Sequence, residues 1–164
     1  MLQNLNATKK GLITGLLMVA LSLLVYYIKL PFDSPVQYLI YIVYAAGIVW
    51  TLIGFSRSGE GRKPFGQYFL QGFKCFVVVT LIMVVFSFIF NKLHPEFKEE
   101  MVAAYRTELA AKGNSTPAEI EANLAKARDF YIVMLISSAI FGYLVIGSVV
   151  TASASLLLLR KRNV

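Results

Sequence analysis

The chain of 164 residues has one cysteine and one histidine, and its long apolar runs contain no aspartate or glutamate. A single cysteine, Cys75, cannot form an intramolecular disulfide, and no CxxC pair exists for a metal or redox site. With His94 as the only histidine, no catalytic triad can be assembled. The motifs GxGxxG, GxxxxGK, HExxH and GxSxG are also missing. We therefore expect no enzyme, no metal site and no cofactor.

Apolar residues are what the chain has in excess, since 57% of it is hydrophobic and its mean hydropathy is +0.66. About 20 apolar residues at 1.5 Å each cross the hydrocarbon core, and in lipid only a helix pairs all its own backbone groups. We therefore predict an all-α integral membrane protein with a single membrane domain, residues 1–164. Its four transmembrane helices are expected at residues 11–28, 35–55, 69–90 and 130–159.

The formal net charge of +7 comes from lysine and arginine residues that flank the apolar runs. A nucleic-acid-binding surface would gather them on a polar segment with aromatics, so we expect no nucleic-acid partner. Basic residues near span ends mark the cytoplasmic side. Because eight of them lie before span one, between spans two and three and after span four, both termini are predicted to be cytoplasmic. These eight are Lys9, Lys10, Arg57, Arg62, Lys63, Arg160, Lys161 and Arg162.

Residues 91–129 form a charged segment between spans three and four, and they are predicted to be extracytoplasmic. An apolar residue recurs at every fourth position of its first half, which indicates one apolar stripe on a helix: Phe97, Met101, Tyr105 and Leu109. Gly113 is typical of a helix end. Thr116, Pro117 and Glu119 then match a capping box at the start of a second helix. We expect a helical hairpin whose second arm continues into span four.

A polar stripe opens span three, where Gln67, Gln71 and Lys74 are spaced four and three residues apart and Arg62 and Lys63 precede them. Lys74 lies about 8 Å inside the span, from where its stem reaches the headgroups. The stripe is either a snorkelling interface or a contact for an anionic lipid. An ion relay is disfavoured because no acid lies in any span to pair with Lys74.

Small residues recur along span four and at the start of span one. Such residues let helices approach closely, which is a main source of association in lipid. They favour either packing within one four-helix bundle or docking against another membrane subunit. The candidate packing residues are Gly11, Gly15, Ser138, Gly142, Gly147, Thr151 and Ser155.

The order of segments resembles a bacterial family of four-span inner-membrane proteins catalogued only as a domain of unknown function. The resemblance covers nearly the whole chain and is carried by PFGQYFLQGF, by MVAAYRTELAAKGNSTPAEIEANLAKARDFY and by the closing VIGSVVTASASLLLLRKR. It implies an inner-membrane location and the same topology, and it assigns no catalytic residue.

Two functions follow as expectations. The first is a non-enzymatic scaffold or accessory subunit of a cell-envelope complex. The alternative is a small transporter or lipid-handling protein. The expected partners are membrane lipids, together with another membrane protein or further copies of the chain.

Overall fold

A computed structural model describes residues 5–29, 36–58, 63–113 and 116–161. This part of the chain contains helices and no strand, which confirms the all-helical class. Four of the helices are long and apolar enough to cross a membrane, at Ala7–Tyr27, Tyr38–Arg57, Phe65–Leu93 and Pro117–Arg160. The five helices are α1 (Ala7–Tyr27), α2 (Val36–Arg57), α3 (Phe65–Leu93), α4 (Glu96–Lys112) and α5 (Pro117–Lys161).

The first helix begins four residues earlier than predicted. Asn6 is its N-cap, and the Asn6 side chain accepts a hydrogen bond of 2.9 Å from the backbone N–H of Lys9. Asparagine is a strong N-cap because its oxygen satisfies a first-turn N–H that has no acceptor within the helix. Lys9 and Lys10 therefore lie inside α1 and not in front of it.

The fourth apolar helix, α5, runs for 45 residues without interruption. This confirms the prediction that the helix starting at Pro117 continues into span four. Thr116 and Glu119 form the predicted capping box: the Thr116 N–H donates to Glu119 Oε2 at 2.7 Å, and the Glu119 N–H donates to Thr116 Oγ1 at 3.3 Å. Pro35, the predicted start of span two, lies outside the described residues.

The described chain divides into two compact units. The first comprises Met1–Met83 with Ile140–Val164, and the second is Val84–Ala139. In the first unit large apolar side chains face outward, such as Leu16, Phe141 and Val149, which are 57%, 72% and 60% exposed. Hydroxyl-bearing residues such as Thr14 and Thr51 are buried together with apolar ones such as Ile48. A soluble domain rarely exposes so many large apolar side chains, whereas lipid is a suitable surrounding for an apolar exterior.

Glycines set the spacing between helices of the first unit. A Cβ built on Gly11 would lie 2.7 Å from the backbone carbonyl oxygen of Cys75, and one built on Gly15 would meet Ile82 at the same distance. At Gly11 the backbones of α1 and α3 are therefore closer than a side chain would permit, whereas at Gly15 the α1 backbone lies against the Ile82 side chain. This contact is the kind that holds helices together where the hydrophobic effect between them is absent.

The α5 segment of the first unit also packs through small residues. A Cβ on Gly147 would clash with the Tyr44 hydroxyl and the Phe76 ring, and Thr151 packs against Gly72. The Tyr44 hydroxyl donates a hydrogen bond of 2.8 Å to the backbone oxygen of Tyr143, which links α2 to α5.

Buried hydroxyls in the first unit fall into two groups. Thr14, Thr51 and Thr80 each donate to the backbone oxygen four residues earlier, at 2.8–2.9 Å. The hydroxyls of Thr151 and Ser155 are also fully buried, but they have no hydrogen-bond partner within the part of the chain that the structure describes. A buried hydroxyl without a partner costs stability, whereas a bonded one contributes modestly to it.

In the second unit, α4 packs against the first turns of α5. Val102 and Leu124 are buried there. Two ion pairs connect these helices, Arg128 to Glu99 at 2.9 Å and Arg106 to Glu121. Gly113 ends α4 with φ of 64°, a left-handed conformation that glycine adopts without strain. The predicted stripe of α4 is half-buried along its whole length: Phe97, Met101, Tyr105 and Leu109.

The α1–α3 contact predicts that Gly11→Ala destabilises the protein. The new methyl would meet a backbone oxygen that cannot rotate away, and overpacking costs about 1–3 kcal/mol. Alanine gains up to about 1 kcal/mol over glycine as a helix former. We expect a net loss of about 1–2 kcal/mol, measured by reversible unfolding in mild detergent. Gly66→Ala is the matched control, because no atom lies within 4 Å of a Cβ at Gly66. Equal stability of the two variants would contradict this packing.

The two groups of hydroxyls predict different effects of the same substitution on stability. Thr151→Val removes a hydroxyl without a partner, so stability should stay within about 0.5 kcal/mol of the wild type or increase. Thr51→Val removes a hydroxyl bonded to Gly47, so a loss of about 1 kcal/mol is expected. The same unfolding measurement in detergent checks both, and a larger loss in Thr151→Val than in Thr51→Val would refute the assignment.

Candidate functional site

A cavity of about 290 Å³, lined by both polar and apolar groups, opens at the end of the first unit where α1 begins and α2 ends. Three helices or their caps supply its walls. The lining residues are Leu5, Asn6, Ala7 and Lys10 from the start of α1, Thr51, Gly54, Phe55 and Ser58 from α2 and its end, and Gln71 from α3.

Lys10 is the charged residue of this cavity. The Asn6 cap starts α1 early enough for Lys10 to close its first turn, where the Lys10 N–H donates to the backbone oxygen of Asn6 at 3.1 Å. The residue is only 2% exposed and shares a buried face of α1 with Thr14 and Met18. Lys10, which the sequence suggested as a charge flanking the span, therefore lies on the buried face of α1.

The contact of the Lys10 ammonium group is aromatic. Its Nζ lies 5.1 Å from the ring centroid of Trp50, and it forms no ion pair with a carboxylate in the described ranges. A cation–π contact stabilises by about 0.5–2 kcal/mol. The Lys10 side chain is enclosed by its neighbours and also lines the cavity, and Trp50 is the contact that stabilises its charge among the described residues.

Cys75 lies on the α3 side of this region and is fully buried. Its Sγ lies 3.3 Å from the Thr51 hydroxyl oxygen and 3.9 Å from the Gly47 backbone oxygen. The thiol therefore connects α2 and α3 as a packed polar group.

Lys63 forms hydrogen bonds with the backbone carbonyl groups at the end of α2. Its Nζ donates to the backbone oxygens of Phe55 and Ser58 and lies 4.3 Å from the Phe55 ring centroid. The C-terminal end of a helix carries a partial negative charge, and a cation there is favourable. Since Phe55 and Ser58 line the cavity, Lys63 compensates the negative part of its wall.

The structure divides the polar stripe predicted for span three. Gln71 is half-buried and lines the cavity together with Lys10, whereas Gln67 and Lys74 are exposed on α3. Lys63 is engaged at the end of α2, and Arg62 lies outside the described residues. Lys10 was not among the predicted site residues because the predicted span begins at Gly11. Asn6 is a strong N-cap residue four positions before Lys10, and this signal would have placed Lys10 inside the helix.

The predicted packing residues also separate into two sets. Five of them are buried in the first unit: Gly11, Gly15, Gly147, Thr151 and Ser155. Ser138 is exposed, and no atom lies within 4 Å of a Cβ built on Gly142. Gly142 therefore leaves an open position on the surface of α5.

His94 belongs to the second unit, away from these features in sequence. Its Nδ1 lies 2.8 Å from Glu96 Oε1. The backbone N–H of Glu96 itself and then the His94 hydrogen bond lower the pKa of this carboxyl. Over the described ranges, no three His, Cys, Asp or Glu side chains come together as a metal site would require.

Comparison with known proteins leaves the activity open. No curated protein and no solved structure matches the chain. A family described as a protein of unknown function (DUF4199) matches residues 9–160, a range that includes nearly all of the four apolar helices and the segment between α3 and α5. The resemblance to a family without an assigned activity is thereby confirmed, and the chain belongs to the DUF4199 family of proteins of unknown function.

Proposed function

We propose that the protein is a four-span inner-membrane protein with both termini in the cytoplasm and residues 91–129 outside it. Four apolar helices and the outward-facing apolar side chains of the first unit support the membrane location. The basic residues at the span ends support this orientation. The ion pairs Glu99–Arg128 and Arg106–Glu121 fit two antiparallel arms, and therefore support an extracytoplasmic helical hairpin.

Within this topology we infer a non-enzymatic accessory or scaffold subunit of a cell-envelope complex. The observation that carries this inference is the open position at Gly142. Phe141 and Val145, on either side of it along α5, are 72% and 45% exposed. The missing side chain leaves a notch among larger apolar residues, which another membrane helix can fill.

The energetics of helix association in lipid explain why such a notch matters. Lipid tails are as apolar as leucine, so burying Phe141 against another helix gains little by the hydrophobic effect. Close contact at a small residue instead adds dispersion contacts that lipid chains make less densely. Gly147 on the same helix already serves this purpose inside the first unit, where it packs against Tyr44 and Phe76.

Replacing Gly142 with leucine should therefore break an association without harming the fold. We expect the wild-type chain in mild detergent to run as a defined assembly heavier than its 18.3 kDa monomer, with a second copy or another membrane subunit. Gly142→Leu should shift at least half of it to the monomer. Native mass spectrometry gives the masses directly.

The matched control is Gly66→Leu, the same substitution at another glycine with no neighbour within 4 Å. It should leave the assembly intact. A wild-type protein that is monomeric at all concentrations, or a Gly142→Leu assembly as stable as the wild type, would count against the accessory-subunit function.

A second candidate function is a small transporter or lipid-handling protein, and the cavity favours it. Gln71 and Lys10 offer polar contacts inside a bundle whose exterior is apolar, which suits a ligand with one polar end.

Lipid movement across proteoliposomes tests this second function, with a fluorescent phospholipid whose outer-leaflet population is bleached. The rate should exceed that of empty liposomes, and Gln71→Leu should reduce it severalfold by removing a polar wall. Lys74→Leu distinguishes the cavity from the exposed stripe. If Lys74→Leu loses lipid movement and Gln71→Leu retains it, the lipid contact lies on the stripe and not in the cavity. A rate equal to that of empty liposomes would exclude lipid movement altogether.

A further inference from the structure

The cavity at the start of α1 contains a buried cation whose counter-charge is missing from the described residues. Lys10 is 2% exposed, its Nζ contacts the Trp50 ring at 5.1 Å, and no carboxylate in the described ranges pairs with it. Buried charges in proteins are ordinarily paired or bound to an ion. A bound anion would supply this pairing.

The walls around Lys10 favour an anion for a second reason. The Asn6 side chain satisfies the N–H of Lys9, which leaves the N–H groups of Ala7 and Thr8 without an acceptor inside the helix. These groups carry the positive end of the α1 dipole, and Ala7 lines the cavity. The Lys10 side chain and the N-terminus of α1 therefore border the same cavity.

The opposing wall does not cancel this positive field. It includes Phe55 and Ser58 at the end of α2, whose backbone oxygens would repel an anion if they were free. Lys63 donates to both oxygens and so compensates them. Gln71 adds an amide group that is able to donate a hydrogen bond.

The size of the cavity narrows the chemistry of the anion. At about 290 Å³ it is much larger than a halide ion needs. A phosphate group has several acceptor oxygens for the three donors of Lys10 and the first-turn N–H groups of α1, and a carboxylate has two. The remaining volume accommodates the group esterified to the phosphate.

We propose that this cavity binds a phosphate group through Lys10, with the start of α1 and Gln71 as its further contacts. A lipid headgroup and a soluble phosphate are the two sources of the same chemistry. The proposal is independent of the accessory-subunit function, since that depends on Gly142. Occupancy of the cavity is also measurable whether or not the protein moves any lipid.

Trp50 is a built-in reporter, because it is the only tryptophan of the chain and its ring lies beside the Lys10 ammonium group. The purified full-length chain in uncharged detergent is titrated with inorganic phosphate, with sodium chloride at equal ionic strength as the reference. A second arm uses nanodiscs of phosphatidylcholine with an increasing fraction of phosphatidylglycerol. We expect a saturable change of Trp50 fluorescence in at least one arm.

Lys10→Gln should weaken that response at least tenfold, and Lys10→Arg should retain it. The matched control is Lys9→Gln, which removes the same charge from the adjacent, exposed residue of α1. It should bind as the wild type does. A response in the phosphate arm identifies a soluble ligand class, and a response confined to phosphatidylglycerol identifies a lipid headgroup.

Two results would overturn the proposal. One is a wild-type chain whose fluorescence shows no saturable change in either arm. The other is a folded Lys10→Gln variant, verified by circular dichroism and gel filtration, that binds as tightly as the wild type. If Lys10→Gln does not fold, the comparison of Lys10→Arg with Lys9→Gln decides: binding must persist in both, and its loss in Lys9→Gln alone would assign the anion to the exposed lysine.

Discussion

The close approach of α1 and α3 at Gly11 is the contact on which the features of the first unit depend. The backbone of α1 lies against the carbonyl oxygen of Cys75, with no side chain between them. Lys10 is the residue before Gly11, so the same approach turns its side chain toward α2 and α3 instead of toward lipid. A wider separation would remove the burial of Lys10 and the contact of its ammonium group with Trp50. The distance between α1 and α3 thus also determines where the charge of Lys10 lies in the cavity.

Local signals in the sequence predicted much of the fold. The apolar runs gave the four long helices because lipid leaves no other structure for them. The capping box at Thr116 was predictable because its atoms all come from neighbouring residues. The continuity of α5 followed from the absence of a breaker after Pro117. Helix α1 begins four residues before the predicted span because Asn6 caps it there.

The sequence predicted less well those features that depend on how the helices face one another. Gln67 and Lys74 point within about 20° of each other around α3, but Gln71 is rotated by about 40–60° from both, given 100° per residue. That rotation is enough to turn Gln71 into the cavity and leave the other two exposed. Similarly, Gly142 is rotated by about 140° from Gly147, so one is open while the other is buried. The spacing in the sequence gives these angles around a helix, but the neighbouring helices determine which of its faces is buried.

The buried position of Cys75 determines how the protein can be labelled at cysteine. The thiol is fully buried and packed against Thr51, so water-soluble maleimides have no accessible native target. A cysteine introduced at an exposed position becomes the single labelling handle, and no cysteine-free background has to be made first. Side-specific alkylation can then be carried out with the α2–α3 packing intact.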